Sequence, residues 1–155
     1  MGEEYTIVVD TREQKPLWKN STKTQPIIVY KLDTGDYSIK GYAEKIAIEY
    51  KSPNDIFSTL SAGHDRFKRE LERAKDLDFF AIVISADYLK IRDKCFEGAQ
   101  HITKMPGSTI TKILSTLAVK YGVKVYFAVD RREAKALIKC LLDAYHRNFI
   151  QGVVV

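Results

Sequence analysis

Residues 44–56 read EKIAIEYKSPNDI and contain the clearest signals for secondary structure in the chain. Glu44–Tyr50 alternates polar and apolar residues, which is the pattern of a strand with two different faces. Ser52 can cap a helix, Pro53 suits the first helical position, and Asp55 lies three residues after the cap. The stretch therefore predicts a β-strand followed almost at once by an α-helix.

Further strands and helices are predicted on both sides of this stretch. Short apolar runs before it predict strands over Tyr5–Asp10, Ile27–Leu32 and Tyr37–Ile39. After it, strands over Phe79–Ser85 and Val123–Val129 alternate with helices that begin near His64, span Thr109–Tyr121 and run from the cap Asp130 to about Asn148. Strands first, then helices alternating with strands, predict an α/β sandwich with a mixed central sheet.

The bulk composition fits one domain in the 155-residue chain. Lys and Arg total 25 against 20 Asp and Glu, a basic surplus that permits a polyanionic partner without requiring one. Cys95 and Cys140 have no metal-ligand spacing and suit a reduced compartment. The apolar run around Ile7 is too short for a signal peptide or a membrane span. We therefore expect a soluble cytoplasmic or nuclear protein with no membrane partner.

Four acidic residues fall at predicted strand ends or in the turns beside them. Asp10 ends the first strand, Asp36 opens the third, Glu49 lies near the end of the fourth, and Asp55 lies in the next helical turn. Strand ends can bring distant side chains together at one edge of a sheet. Clustered carboxylate oxygens are the ligands that Mg²⁺ or Mn²⁺ requires, so a metal site is expected there.

Lys51 lies two residues after Glu49, so in a strand both side chains point to the same face. A carboxylate and an ammonium side by side can act on one water and aim it at a phosphodiester. The spacing of Asp36, Glu49 and Lys51 is weak evidence alone, because such triplets occur by chance where 29% of residues are charged.

Four blocks extend this pattern in order: VVDTREQKPL (8–17), TGDY (34–37), IEYKSPNDI (48–56) and HDRFKREL (64–71). Together they resemble the nuclease domain of the XPF family of structure-specific DNA endonucleases, whose pattern runs VDxRE, GDY, ERK, an Asp four residues after the Lys, and a helix with Arg-Phe or Arg-Leu. The resemblance covers roughly half of the chain.

The resemblance implies a restriction-endonuclease-like three-layer sandwich and Mg²⁺- or Mn²⁺-dependent cleavage of branched or junction-containing DNA. By the same resemblance Asp36 and Glu49 hold the metal, and Asp10 is a further ligand or a supporting group. Lys51 orients the attacking water and stabilises charge on the phosphate.

Roles for the remaining matched residues are also implied, with alternatives. Glu13 is a candidate ligand for a second ion, and Arg12 contacts a phosphate or anchors the acidic cluster. Asp55 is an active-site support or simply a helix cap. Arg66 is expected to contact the DNA backbone. His64 contacts the scissile strand or only reflects the polarity of a helix start.

Two departures from the family pattern bear on activity. Tyr50 replaces the family's central Arg, although on a strand it faces away from Glu49 and Lys51. Many relatives continue into a tandem helix-hairpin-helix domain, whereas this chain stops at Val155, so we expect the duplex grip to be absent or to come from a partner.

Relatives pair through their nuclease domains, and the apolar tail (Phe149–Ile150, Val153–Val155) leaves surface for a homodimer or a related subunit.

Two rival functions remain open at this point. The first is a nuclease-like DNA-binding module or partner subunit that has lost activity, which Tyr50 favours and the intact carboxylates disfavour. The second is a sequence-specific restriction enzyme on the same fold, which the VDTRE and Arg66-Phe67 blocks disfavour.

Overall fold

The computed structural model describes residues 4–152, which contain a six-stranded sheet. The strands are Ile7–Val9 (β1), Ile27–Val29 (β2), Tyr37–Ile39 (β3), Ile46–Lys51 (β4), Phe79–Ile84 (β5) and Lys124–Phe127 (β6). Their order is β2-β1-β3-β4-β5-β6. β3 runs antiparallel to both β1 and β4, while the other neighbours are parallel. The sheet is therefore mixed, as the sequence predicts.

Helices cover both faces of this sheet. They are Pro53–Leu60 (α1), His64–Ala74 (α2), Tyr88–Arg92 (α3), Gly107–Tyr121 (α4) and Arg131–Tyr145 (α5), with a 3-10 turn at Ala99–His101 and a π turn at His146–Ile150. One apolar cluster joins α1, α2, α3 and α4 to the sheet, and a second joins α5 to the other face. The predicted three-layer sandwich is confirmed. None of the helices within residues 4–152 has the length and apolar character needed to cross a bilayer.

The differences from the predicted elements are local. Ile27–Leu32 and Val123–Val129 were expected as strands, but pairing is limited to the shorter β2 and β6. The last helix, expected to reach about Asn148, is α-helical only to Tyr145 and then widens into the π turn. α3 and the 3-10 turn were not predicted, because elements of three to five residues carry too little periodicity. The Val153–Val155 part of the apolar tail lies outside the described residues.

Alternation along β4 separates the two faces of the sheet. Ile46 and Ile48 pack in the cluster on the α5 side, whereas Ala47 packs in the cluster with α1 and α2. Because side chains alternate, Glu49 and Lys51 follow Ala47 to the α2 side. Tyr50 packs on the α5 side, as expected, and its hydroxyl lies 2.8 Å from Ser85 Oγ.

Gly35 fixes the turn that leads into β3. Its φ of +80° lies in the left-handed region, and a Cβ built there would come within 2.8 Å of Ala47 Cβ. Only glycine therefore fits, and the turn can approach β4 closely enough to present Asp36 beside Glu49.

Candidate active site

Asp36, Glu49 and Lys51 come together where β3 and β4 meet. The Asp36 N–H donates to Ile48 O at 2.9 Å, and its carboxylate accepts from Tyr50 N at 2.8 Å. Glu49 is only 5% exposed, and its Oε1 lies 3.3 Å from Lys51 Nζ. The ammonium also lies 5.9 Å from the centroid of the Phe67 ring on α2. The backbone of two adjacent strands thus fixes both carboxylates and the lysine.

Burial and mutual repulsion make the two carboxylates reluctant to ionise. Burial, and then the charge of Glu13, raise the pKa of Asp36 to about 7, although the Tyr50 N–H opposes this. Burial, and then Asp36 and Glu70, raise the pKa of Glu49 well above its usual value. Burial alone would lower the pKa of Lys51, but Glu49 and Asp36 raise it. The site therefore combines a protonated Lys51 with two carboxylates, Asp36 and Glu49, whose negative charge the protein compensates only in part.

Asp10 lies beside this centre, and its own carboxylate is engaged by the protein. Its N–H donates to Asp36 O at 2.9 Å, which ties the end of β1 to the start of β3. One carboxylate oxygen accepts from Leu32 N at 2.8 Å and the other from Arg12 Nε at 2.9 Å. Arg12 Nη2 also donates to Leu32 O at 2.6 Å. Asp10 is 3% exposed, whereas the Arg12 side chain is 64% exposed.

Two clefts open on either side of Asp36, Glu49 and Lys51. The first, which we call the α2 cleft, is a cavity of about 270 Å³ whose further lining includes Arg12, Gly35, Arg66, Phe67, Glu70 and Arg73. The second, which we call the α5 cleft, is a cavity of about 530 Å³ whose further lining includes Arg12, Glu13, Lys15, Tyr50, Asp55 and Arg131. The structure thus brings Arg66 to one side of the carboxylate pair and Glu13 and Asp55 to the other.

Glu13 and Asp55 are the carboxylates that line the α5 cleft and not the α2 cleft. Burial raises the pKa of Glu13, with a smaller contribution from Asp55, while the charges of Arg131 and Lys51 oppose this rise. Ser52 caps α1 as predicted, since its hydroxyl accepts from Asp55 N at 3.1 Å. The Asp55 side chain itself is exposed at the cleft and is not the group that caps the helix.

Comparison with known proteins places this arrangement in a family. The sequence model of the ERCC4 domain matches residues 9–141. The chain belongs to the ERCC4 domain family. The solved structure titled XPF from Aeropyrum pernix is 17% identical with a TM-score of 0.67, over 94% of this chain and 67% of that one. Its structure titled complex with DNA is 18% identical with a TM-score of 0.66, over 93% and 66%.

These two structures confirm the fold of the ERCC4 domain, and the family match confirms the resemblance seen in the sequence. The chain spans about two thirds of the length of each structure. No curated protein sequence matches the chain.

Glu70 is a site residue of this ERCC4 domain that the sequence interpretation missed. It lines the α2 cleft, contributes to raising the pKa of Glu49, and accepts a hydrogen bond from Gly35 N at 3.1 Å. Its position could have revealed this role, because Glu70 lies three residues after Phe67 and four before Ala74, and both of these residues are buried. Glu70 therefore steadies the turn before Asp36 and opposes the ionisation of Glu49.

His64 is not brought to the carboxylate pair. It lines a groove between α2 and α4 together with Lys68, Lys112 and Lys120, apart from both clefts. Its Nε2 is buried and has no hydrogen-bond partner. Of the two readings of His64, this placement supports the helix-start reading.

The donor set suits a hard divalent cation. Within residues 4–152 no three His, Cys, Asp or Glu side chains form a ready metal cage. Mg²⁺ is nevertheless commonly held by one or two carboxylates, with waters and substrate phosphates completing its shell. Asp36 and Glu49 are such a pair, and a cation would relieve the repulsion that raises their pKa values.

Proposed function

We propose that the chain is a Mg²⁺- or Mn²⁺-dependent DNA endonuclease that hydrolyses phosphodiesters in branched or junction-containing DNA. One observation carries the proposal: a partly buried Asp36 and a buried Glu49 lie together, with the Lys51 ammonium 3.3 Å from Glu49, at the junction of two arginine-bearing clefts. Buried carboxylates and an ammonium at a cleft floor cost stability, and a catalytic role explains their retention.

Asp36 and Glu49 would hold the cation, and Glu13 is the candidate for a second ion. A divalent cation in such a site neutralises phosphate charge and acidifies water. Asp10 supports the site rather than ligating, because both of its oxygens already accept hydrogen bonds from Leu32 and Arg12. This arrangement favours the supporting role among the two considered for it.

Lys51 orients the attacking water and stabilises charge on the scissile phosphate. Its ammonium stays protonated because Glu49 and Asp36 raise its pKa. The apolar ring of Phe67 limits its hydration on one side. A desolvated cation interacts more strongly with a phosphate than one in bulk water.

Arginines beside the centre would hold the flanking DNA backbone. Arg66 and Arg12 both line the α2 cleft, and both side chains are exposed. Arg12 is pinned through Asp10, so it presents its remaining donors in a fixed orientation. Asp55 would support the α5 side of the site.

DNA as partner is supported by the relative from Aeropyrum pernix whose title names a complex with DNA. The same proposal includes a branched substrate, a single nuclease domain over residues 1–155, and pairing as a homodimer or with a related subunit. Phe149, 73% exposed at the end of the chain, is apolar surface that such pairing would cover. Free Cys95 and Cys140 support an intracellular location, cytoplasmic or nuclear.

A second candidate is a DNA-binding module or partner subunit without cleavage activity. Tyr50 in place of the arginine of the family pattern favours it. The orientation of Tyr50 weighs against this candidate. Its side chain packs on the α5 side and its hydroxyl bonds Ser85, so it does not occupy the Asp36 or Glu49 carboxylate.

An assay of cleavage and binding separates these functions. It uses labelled flap, fork and linear duplex DNA, each with Mn²⁺ or with a chelator. We expect cutting of branched DNA in Mn²⁺ only, and none by Asp36→Asn. Cutting of linear duplex at a fixed sequence favours a restriction enzyme. Binding of branched DNA without cutting, restored to cutting by Tyr50→Arg, favours the lapsed module. A chain that neither binds nor cuts DNA overturns the proposal.

A further inference from the structure

Arg131 is held in a defined position at the rim of the α5 cleft. It is the first residue of α5, and its guanidinium carbon lies 5.5 Å from the centroid of the Tyr50 ring, over its face. Its Nη2 donates to Lys15 O at 2.6 Å and to Pro16 O at 3.3 Å. Contacts on two sides thus fix an exposed arginine that would otherwise move freely.

The positive charge of Arg131 is not neutralised by a bonded carboxylate. Among residues 4–152 no Asp or Glu oxygen lies within ion-pair distance of it, whereas Arg12, on the shared rim, is bonded to Asp10 at 2.9 Å. Only Nη2 is engaged, and it contacts carbonyl oxygens. The Nε and Nη1 donors find no acceptor in the described part of the chain and remain available to an anion.

The geometry of the clefts indicates which anion this is. The α2 and α5 clefts share Asp36, Glu49 and Lys51 as their common floor. A phosphodiester lying over that floor would place its neighbouring phosphates in the two clefts. Arg12 lines both clefts, whereas Arg66 and Arg73 line only the α2 cleft and Arg131 and Lys15 line only the α5 cleft.

We propose that Arg131 binds the DNA phosphate on the α5 side of the cleavage centre, with the Tyr50 ring as its platform. This inference rests on the proposed function. A stacked guanidinium with two free donors can grip a phosphate in one orientation, which aligns the scissile bond with Lys51. The arginine reaches the centre from α5, while position 50 of β4 provides the surface that orients it.

Salt dependence of binding tests this contact directly. Affinity for a labelled flap DNA is measured in chelator between about 50 and 200 mM salt for the wild type, Arg131→Gln, Arg131→Lys and Arg132→Gln. Arg132 is the matched control, since it is the next residue of α5, exposed, and outside both clefts. Each phosphate contact contributes about 0.9 to the slope of log K against log salt on duplex DNA.

We expect Arg131→Gln to reduce that slope by about one and to weaken binding roughly tenfold at low salt. Arg131→Lys should restore the slope but not the single-turnover cleavage rate, because an ammonium lacks the planar donors. Arg132→Gln should match the wild type in both. A wild-type slope in Arg131→Gln, with only a lower melting temperature, overturns the inference and makes Arg131 an anchor of the 15–16 loop.

The two proposals fail in different ways. If the wild type binds DNA but cuts no substrate, the endonuclease proposal fails, while the slope of Arg131→Gln still decides whether Arg131 binds a phosphate. If the wild type cuts DNA and Arg131→Gln keeps both slope and rate, only the Arg131 inference fails.

Discussion

Asp10 follows β1 and Asp36 precedes β3, and a backbone hydrogen bond of 2.9 Å joins the two residues. Asp10 is surrounded by donors, since Leu32 N, Arg12 Nε and Arg12 Nη2 all point at its carboxylate. Asp36 accepts one backbone hydrogen bond and faces Glu13 and Glu70, which contribute to raising its pKa. The protein provides all the hydrogen-bond donors that the Asp10 carboxylate needs. The Asp36 carboxylate, although Lys51 lowers its pKa, keeps a raised pKa that a bound cation would lower further.

This difference separates structural from functional acids in one small region. A carboxylate whose hydrogen bonds are complete stabilises the chain segments that donate to it. A carboxylate that is buried with like charges around it destabilises the empty site and gains most from a cation. Substitutions at the two positions should therefore have opposite effects on stability.

The largest expected effect comes from Asp36→Asn and its partner Asp10→Ala. Asp36→Asn should abolish cleavage, a loss of about 10³-fold or more for a missing metal ligand. It should nevertheless stabilise the metal-free protein, because it removes a partly buried charge that Glu13 and Glu70 repel. Asp10→Ala should lower stability by about 1–3 kcal/mol, since it leaves the Leu32 N–H without an acceptor. Urea unfolding in chelator and single-turnover cleavage measure both.

Stability changes of the same sign in the two variants would mean that Asp10 and Asp36 do not differ in this way. Destabilisation by Asp36→Asn would mean that its bond from Tyr50 N outweighs the repulsion from Glu13 and Glu70. Undiminished cutting by that variant would remove Asp36 from the active site.

A smaller loss of activity is expected from Lys51→Ala, which removes the ammonium group but leaves the Asp36 and Glu49 carboxylates. Turnover should fall by roughly 10²-fold, the scale of acid–base and charge-stabilising groups, while Mn²⁺ still binds. Calorimetric titration with Mn²⁺ and cleavage rates check the two parts separately. Arg69→Ala, on the exposed face of α2 and outside both clefts, is the control. Equal losses of metal affinity and rate would make Lys51 a structural residue.

The sequence allowed Asp36, Glu49 and Lys51 to be predicted because their arrangement is local. A tight glycine turn and strand alternation place them with no knowledge of the rest of the fold. Glu70 and Arg131 could not be assigned, since each reaches the site only through the packing of a helix on the sheet. The five residues of α3 carry too little periodicity to predict, and its place depends on packing: Gly107 allows α4 to approach it, where a Cβ would lie 1.9 Å from Ile91 O.

A further prediction concerns pH in the metal-free protein. The pKa of Asp36 is about 7 when folded and near 3.8 when unfolded, so between these values the folded state retains a proton that the unfolded chain has lost. Stability should therefore be highest below about pH 4 for this group and fall as pH rises to 7, by at most about 1.4 kcal/mol per pH unit.

Urea unfolding in chelator at several pH values measures that slope. In Asp36→Asn the slope should be shallower, and the remainder should reflect Glu49, whose pKa is also raised. Mn²⁺ should flatten the wild-type profile because it favours the ionised carboxylates. A wild type whose stability rises with pH over this range would contradict the raised pKa of Asp36.

The smallest expected effect lies on the opposite face of β4, where Tyr50 and Ser85 form a hydrogen bond of 2.8 Å. Tyr50→Phe, Ser85→Ala and the double variant complete a thermodynamic cycle, whose coupling free energy should be about 0.5–1.5 kcal/mol. Because the Tyr50 hydroxyl points away from Glu49 and Lys51, Mn²⁺ affinity should not change in Tyr50→Phe. A changed affinity would mean that the Tyr50 hydroxyl contributes to metal binding. The Asp36 carboxylate would then depend on the Tyr50 side chain as well as on its backbone N–H.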